Sequence, residues 1–160
     1  MEIVVEGRYS MAYKYISRKE EDTIILAENL ESERLSKMVI CLKGDLGTGK
    51  TLFAKSFANA LGIKEAVTSP TFNIIKEYLC GEAPLYHMDV YRLEGNVDDL
   101  GIEEYFTKNG VTIIEWADMI EDRLPKNRLD ITINPISEHA RVFVLEPHGK
   151  KYEELCEKAL

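Results

Sequence analysis

The sequence contains Gly44-Asp45-Leu46-Gly47-Thr48-Gly49-Lys50-Thr51, a stretch that matches the pattern G-x-x-x-x-G-K-[ST] at every fixed position. Glycines let a loop turn tightly and direct its backbone N–H groups at phosphate oxygens. In this pattern the lysine reaches the β and γ phosphates of a nucleotide, and the Ser/Thr hydroxyl binds Mg²⁺. The stretch therefore predicts a nucleoside triphosphate-binding loop, in which Lys50 contacts phosphate and Thr51 contacts the metal ion.

The residues on either side of this loop place it between a strand and a helix. Residues 38–42 form a short apolar run, which is typical of a buried strand. Residues 52–61 carry apolar side chains at helical spacing, and Gly62 is a typical helix end. A helix that begins at the loop adds the partial positive charge of its N-terminus to the phosphate site. This context favours a phosphate-binding loop over the alternative, an ordinary glycine turn.

The overall composition predicts one soluble domain over residues 1–160. The chain has 45% hydrophobic and 30% charged residues, which are ordinary values for a globular protein with a sizeable core. It has no apolar run of membrane-spanning length, and its start, Met1-Glu2-Ile3, lacks the features of a signal peptide. Three separated cysteines without metal-ligand spacing are typical of free thiols in a reducing compartment. We therefore expect a cytoplasmic protein with no membrane partner.

Strands alternate with helices in the first part of the sequence and pair as hairpins later. Strands are expected over residues 38–42, 72–78, 85–92, 111–114, 129–133 and 141–145, and helices over residues 19–30, 52–61, 96–106, 117–124 and from about 151. Residues 1–15 fit either an edge strand or an irregular extension. The pattern predicts an α/β fold, the three-layer sandwich of a P-loop NTPase, with a central mostly parallel sheet and antiparallel edge strands. The site is expected at the carboxyl ends of the parallel strands.

Glu115 directly follows the apolar strand predicted over residues 111–114. If that strand neighbours the strand before the loop, the carboxylate faces the phosphate site, where it holds Mg²⁺ or orients the attacking water. The alternative is a surface acid at a strand end. Trp116, the only tryptophan, fits either a residue of the site or one that covers the core.

Two further segments carry candidate polar residues. In His87-x-Asp89-x-Tyr91-Arg92, period-two alternation puts three polar side chains on one strand face, which does not suit a plain core. Asp89 is therefore a candidate site residue, and a solvated edge strand is the alternative. Thr71 follows Ser69-Pro70 and is similar to a switch threonine that meets Mg²⁺ or the γ-phosphate, although a plain turn has the same composition.

Other nucleotide-dependent functions fit the sequence less well. No N-K-x-D guanine motif occurs, and the D-x-x-G at Asp98-Asp99-Leu100-Gly101 lies in a predicted helix, so a GTPase is disfavoured. A small-molecule kinase typically screens the transferred phosphate with several arginines. The arginines beyond the loop form no cluster in this sequence. A nucleotide-gated binding module without useful turnover is a third interpretation, in which ATP orders the switch segments.

Taken together, the motifs resemble the TsaE family, also called YjeE, of bacterial ATPases. The matching segments are the loop itself, Ser69-Pro70-Thr71-Phe72, Tyr86-His87-x-Asp89-x-Tyr91-Arg92-Leu93, Gly101-Ile102-x-x-Tyr105-Phe106 and Glu115-Trp116. The likeness extends from about residue 16 to residue 144. It implies a protein that binds ATP and Mg²⁺ and hydrolyses ATP slowly on its own. It also implies that the protein associates with TsaD and TsaB, the pair that transfers a threonylcarbamoyl group to adenosine 37 of tRNA.

The resemblance implies a role for each matching residue. Phosphate contacts are implied for Leu46, Gly47, Thr48, Gly49, Lys50 and Thr51. Mg²⁺ contacts are implied for Thr51 and Glu115, and a supporting role in nucleotide binding or hydrolysis for Asp89. Glu20 matches a position near the nucleotide. Contact with tRNA is expected to be indirect, through the partner proteins, because a net charge of −8 does not suit a surface that binds nucleic acid.

Overall fold

The backbone folds around one sheet with helices on both faces. A computed structural model describes residues 2–6, 10–45, 47–70, 74–91 and 101–160, with side chains from residue 11 onward in these ranges. The strands are β1 (Glu2–Glu6), β2 (Ser10–Ser17), β3 (Met38–Lys43), β4 (Ile75–Tyr78), β5 (Leu85–Asp89), β6 (Val111–Glu115), β7 (Arg128–Pro135) and β8 (Arg141–His148). The helices are α1 (Glu20–Ser32), α2 (Lys50–Ala60), α3 (Ile102–Tyr105) and α4 (Lys150–Ala159), with a 3₁₀ segment at Ala117–Arg123. None of these helices has the length and apolar character that a membrane crossing requires.

The four central strands of the sheet are parallel. The strand order is β1-β2-β8-β7-β3-β6-β5-β4, in which β7, β3, β6 and β5 run in one direction. Strand β4 pairs antiparallel with β5, while β8, β2 and β1 extend the opposite side by antiparallel pairing. The predicted α/β sandwich is confirmed, and β1 and β2 supply the edge strand that was one alternative for residues 1–15. The antiparallel part is three strands wide on the side of β8, β2 and β1, and a single strand, β4, on the other side.

Several element boundaries differ from those predicted. The strand predicted over residues 72–78 begins at Ile75, and residues 72–73 lie outside the described ranges. Strand β5 ends at Asp89, earlier than expected. Only the last part of the helix predicted over residues 96–106 is described, as α3. The helix predicted over residues 117–124 is a 3₁₀ segment with a kink at Ile120, where φ is −129°.

Side chains of β3 alternate between two apolar layers, one on each face of the sheet. Met38, Ile40 and Leu42 belong to the larger layer, which also contains residues of α1, α2 and α4. Val39 and Cys41 belong to the smaller layer, together with residues of α3 and the 3₁₀ segment. Because both faces are covered, the central strands are buried and their ends are held in fixed positions.

The parallel register sets the ends of three strands side by side. Leu42 of β3 and Asp89 of β5 are both direct partners of Glu115 in β6. Residues at the same register of neighbouring strands point to the same face of a sheet. Leu42 points into the layer beneath α2, so Asp89 and Glu115 lie on that face as well. The fold therefore brings both carboxylates to the loop that follows β3.

A charged cluster stabilises the junction of β3, β7 and β8. Asp130 is 3% exposed and accepts hydrogen bonds from Arg128 Nε at 2.9 Å and His148 Nε2 at 2.9 Å, with Lys43 Nζ at 3.4 Å. Burial alone raises the pKa of Asp130. Hydrogen bonding from Arg128 and the positive charges around it outweigh burial and hold that pKa below its ordinary value of 3.8. The folded state therefore favours the ionised carboxylate.

We expect the stabilisation from Asp130 to depend on pH. A carboxyl with a lowered folded-state pKa stabilises the fold above its unfolded pKa and loses that effect as the pH falls through the folded value. Asp130→Asn is expected to lower the free energy of unfolding by about 2 kcal/mol at pH 7, the scale of hydrogen bonds to a charged group. The loss at pH 2.5 is expected to be much smaller, as measured by urea unfolding at both pH values. Glu28→Gln, an exposed acid on α1, is the control. An equal loss at both pH values would contradict this assignment.

Candidate functional site

The glycine-rich loop connects β3 directly to α2, as the sequence predicts. Gly49 immediately precedes the helix with φ of 108°, a left-handed backbone that favours glycine. Gly44 has φ of 140°, and a Cβ atom there would lie 2.6 Å from the carbonyl oxygen of Ile133. The loop therefore starts in close contact with the backbone of β7. Leu46 lies outside the described residues, so its predicted role stays a prediction.

Lys50 is buried at the start of α2, and its side chain folds back over the loop. It is 5% exposed, and its Nζ donates to the carbonyl oxygens of Gly44 at 2.6 Å and Asp45 at 2.7 Å. The same ammonium group lies 4.1 Å from the ring centroid of Trp116, within the range of a cation–π contact. Burial lowers the pKa of Lys50, while the nearby charges of Glu115 and Asp89 oppose that shift.

Thr51 and Glu115 meet beside this lysine. The Thr51 hydroxyl donates to Glu115 Oε1 at 3.3 Å, which joins the first turn of α2 to the carboxyl end of β6. Glu115 is only 2% exposed, and its second oxygen, Oε2, lies 2.6 Å from His87 Nε2. A threonine hydroxyl and a carboxylate are hard oxygen ligands of the kind that Mg²⁺ prefers. These two residues therefore fit a magnesium site, and the alternative of a surface acid at Glu115 is wrong.

Asp89 lies at the end of β5 with both carboxylate oxygens hydrogen-bonded. Ser69 Oγ donates to Oδ2 at 3.2 Å, and the Tyr91 backbone N–H donates to Oδ1 at 3.0 Å. The side chain is half-buried and faces the same side of the sheet as Glu115. The alternative of a solvated edge strand is wrong for β5, because this strand lies between β4 and β6. The predicted switch residue Thr71 lies outside the described residues.

Trp116 forms a wall of the site and also covers part of the core. Its backbone adopts a left-handed conformation with φ of 61°, which is rare for a bulky residue. Its ring packs against Tyr91 at a centroid distance of 4.6 Å and against the smaller apolar layer. Both roles considered for this tryptophan therefore occur together. Strain of this kind clusters at functional sites.

These residues enclose a cleft of about 480 Å³, which we call the loop cleft. Its lining consists of Gly47, Thr48, Gly49, Lys50, Thr51, Ser69, Ile74, Asp89, Tyr91, Glu115 and Trp116. Seven of the lining residues, in the loop, in β5 and in β6, are predicted site residues. Ser69, Ile74 and Tyr91 are not among the predicted site residues, although Ser69 and Tyr91 belong to the family-like segments of the sequence.

A second groove, of about 510 Å³, is also lined by Gly49. Glu20, the remaining predicted residue, lies here rather than in the loop cleft. The groove is lined by Ser17, Arg18, Lys19, Glu20, Thr23, Gly49, Leu52, Glu138, His139 and Arg141. The Arg141 side chain approaches the loop closely, since its Nε would lie 3.6 Å from a Cβ atom on Gly49. Gly49 therefore lines both spaces.

A different group of potential metal ligands occurs at Asp130, Glu146 and His148, whose ligand atoms lie within 4.8 Å of one another. Asp130 already accepts hydrogen bonds from Arg128 and lies 3.4 Å from Lys43 Nζ. These positive charges satisfy the buried carboxylate and disfavour a cation. The cluster is therefore better explained as the stabilising ion-pair network described above.

Comparison with known proteins identifies the family. The sequence model of the family described as "Threonylcarbamoyl adenosine biosynthesis protein TsaE" matches residues 17–143. A curated relative from Bacillus subtilis, named tRNA threonylcarbamoyladenosine biosynthesis protein TsaE, is 52% identical over 120 residues, which are 75% of this chain and 76% of the relative. A relative of the same name from Nostoc is 35% identical over 132 residues, covering 79% and 81%.

A solved structure agrees with the sequence comparisons. The crystal structure of Bacillus subtilis YdiB superposes with a TM-score of 0.83 at 41% sequence identity, covering 96% of this chain and 97% of that chain. The family match over residues 17–143 includes the loop, Asp89 and Glu115, and the likeness in structure covers nearly all of the chain. We conclude that this chain belongs to the TsaE family.

Proposed function

We propose that this protein binds Mg²⁺–ATP in the loop cleft and hydrolyses it as the ATPase component of tRNA threonylcarbamoyladenosine synthesis. One observation carries the proposal: Thr51 and Glu115 meet at 3.3 Å in the cleft that Lys50 also lines. A hydroxyl and a carboxylate suit Mg²⁺, and a lysine on a glycine-rich loop suits phosphate. The pathway is proposed from the names of the family and its curated relatives.

In this proposal, phosphate binds to the loop and to the N-terminus of α2. Backbone N–H groups at a helix start point at a bound anion, and the helix dipole adds a favourable field. Lys50 Nζ would exchange the carbonyl oxygens of Gly44 and Asp45 for phosphate oxygens. The charge of the lysine is already close to the phosphate position, so only its hydrogen-bond acceptors change.

The two carboxylates have different proposed roles in hydrolysis. Mg²⁺, when bound, neutralises the charge that develops on the phosphates. Glu115 directs one oxygen at Thr51 and would hold the metal ion together with that hydroxyl. Asp89 is fixed by Ser69 and by the Tyr91 N–H, and would support the nucleotide or the attacking water from β5. Thr71 is proposed as the residue that responds to the γ-phosphate.

We propose that the nucleoside part of ATP lies in the second groove. Gly49 lines both this groove and the loop cleft, so a nucleotide whose phosphates bind the loop extends past Gly49 into the groove. Glu20 and Arg141 lie there and offer a polar acceptor and a planar cation to the sugar and the base. This placement assigns a contact with the nucleoside to Glu20, which does not line the loop cleft.

The proposed partners are TsaD and TsaB, with tRNA bound through them. The net charge of −8 supports this division, because phosphate backbones bind mainly to Lys and Arg. A small-molecule kinase is less well supported. Arg123 pairs with Glu103, and Arg128 pairs with Asp130, so two arginines that a phosphate-screening lid needs are occupied elsewhere.

Replacement of Glu115 separates hydrolysis from binding. In Glu115→Gln the neutral amide is a weaker magnesium ligand and a weaker base, so we expect kcat for ATP hydrolysis to fall by about 10²-fold or more. The Kd for ATP is expected to stay within about tenfold, because the loop and Lys50 are intact. Glu121→Gln, which alters a mostly exposed acid in the 3₁₀ segment, is the control. Full hydrolysis by Glu115→Gln would show that the role of Glu115 is wrong. Tight binding by wild-type protein without any turnover would favour the binding-module interpretation.

Replacement of Lys50 tests the loop itself. Lys50→Ala removes a charge-assisted contact, which is typically worth about 1.5–3 kcal/mol, or about 10- to 100-fold in affinity. We expect that loss in the Kd for ATP, measured by isothermal titration calorimetry. Lys55→Ala, on the exposed face of the same helix, is the matched control and is expected to bind normally. Unchanged binding by Lys50→Ala would remove the loop from the proposal.

An assay with the partner proteins tests the pathway. We expect TsaD and TsaB to stimulate ATP hydrolysis by this protein, and we expect this protein with ATP to support repeated rounds of tRNA modification. The measurements are phosphate release and the amount of modified tRNA per enzyme. A phosphorylated small molecule as the product, or no response to the partners, would contradict this part of the proposal.

A further inference from the structure

His87 lies in β5 and contacts the carboxylate of Glu115, which lines the loop cleft. Its side chain is fully buried and does not line the cleft. Its Nε2 is 2.6 Å from Glu115 Oε2, and both side chains are at most 3% exposed. His87 precedes Asp89 by two positions in β5, so both side chains lie on the same face of the sheet.

The two oxygens of Glu115 face different partners. Oε2 faces His87, while Oε1 accepts the Thr51 hydrogen bond at 3.3 Å. The terminal torsion of a glutamate side chain is broad and has no strong preference of its own. A donor fixed on one oxygen therefore determines where the other oxygen points. In this site Glu115 Oε1 points toward the first turn of α2, where the proposed metal ion binds.

Packing alone does not explain a histidine at this position. His87 Nδ1 is buried and has no hydrogen-bond partner among the described residues. A buried histidine with one ring nitrogen unpaired is less stable than an apolar side chain at the same position. Its presence is explained if the other ring nitrogen makes a functional contact. Because a carboxylate oxygen can only accept a hydrogen bond, Nε2 is assigned as the donor to Glu115 Oε2.

We infer that His87 is a positioning residue, which holds the Glu115 carboxylate so that Oε1 is directed at Thr51 and the metal ion. The inference rests on the proposed function, since it assigns the role of a buried residue in the same site. Partners that orient a metal ligand in this way typically change metal affinity or activity by about 10- to 100-fold when they are replaced.

Two substitutions separate positioning from packing. The amide nitrogen of His87→Gln reaches about the position of Nε2 and keeps a donor, whereas His87→Leu keeps an apolar volume without a donor. We expect His87→Leu to raise the Mg²⁺ concentration for half-maximal hydrolysis by about tenfold and to lower kcat, with KM for ATP within about threefold. His87→Gln is expected to restore both values to within about threefold. Tyr86→Phe, in the same strand, is the control for general damage to the sheet.

A second measurement does not require hydrolysis. Mn²⁺ is titrated by electron paramagnetic resonance into protein saturated with a non-hydrolysable ATP analogue. His87→Leu is expected to weaken Mn²⁺ binding about tenfold, and His87→Gln to weaken it less than threefold. Equal defects in both variants, in proportion to a lower melting temperature, would mean that His87 only packs and would overturn the inference.

The outcomes for the two proposals are distinguishable. Wild-type turnover with normal metal dependence in His87→Leu would overturn the positioning role and leave the ATPase proposal standing. Absence of wild-type turnover would overturn the ATPase proposal, and the Mn²⁺ titration would then decide the role of His87 alone. Nitrogen-15 NMR of the nucleotide-free protein provides a further check. A His87 ring without a proton on Nε2, or one unaffected by Glu115→Gln, would also overturn the inference.

Discussion

The buried carboxylate of Glu115 is the constraint on which the site depends. A carboxylate that is 2% exposed is costly unless each oxygen has a partner. Thr51 supplies one partner from α2, and His87 supplies the other from β5. These contacts join three separate segments at one point. The parallel register of β3, β6 and β5 makes the arrangement possible, because it places the ends of these strands at one level.

Much of the fold and of the site could be predicted from the sequence, because local patterns determine them. The glycine spacing and the flanking periodicities identify the loop, the strand before it and the helix after it. Glu115 could be predicted because it ends an apolar strand, and the site is expected at the carboxyl ends of the parallel strands. Asp89 could be predicted because alternation along β5 put it on one face with His87. The comparisons confirm the family and the fold, while the roles of these residues stay predictions.

Other features could not be predicted, because they depend on contacts between distant segments. Alternation places His87 on a face of β5, but the distance to Glu115 depends on which strand pairs beside it. The contact of Lys50 with Trp116 involves a tryptophan in a left-handed backbone conformation, which no sequence rule predicts. The extent of the antiparallel half of the sheet depends on strand order. The second groove brings α1 and the start of β8 to Gly49, and these segments are far apart in the chain.

The hydrogen bonds of Lys50 have a consequence for ligand selectivity. Its ammonium group already has two carbonyl acceptors, at 2.6 and 2.7 Å. An incoming anion therefore gains only the difference between its own contact and those it displaces, rather than the full energy of a new ion pair. Weak acceptors such as halide ions gain little in this exchange. In the proposed function a phosphate group would gain more, because it carries a higher charge and would contact the helix N-terminus at the same time. If the proposed function holds, these internal contacts of the loop would favour polyphosphates over the simple anions that are abundant around any protein.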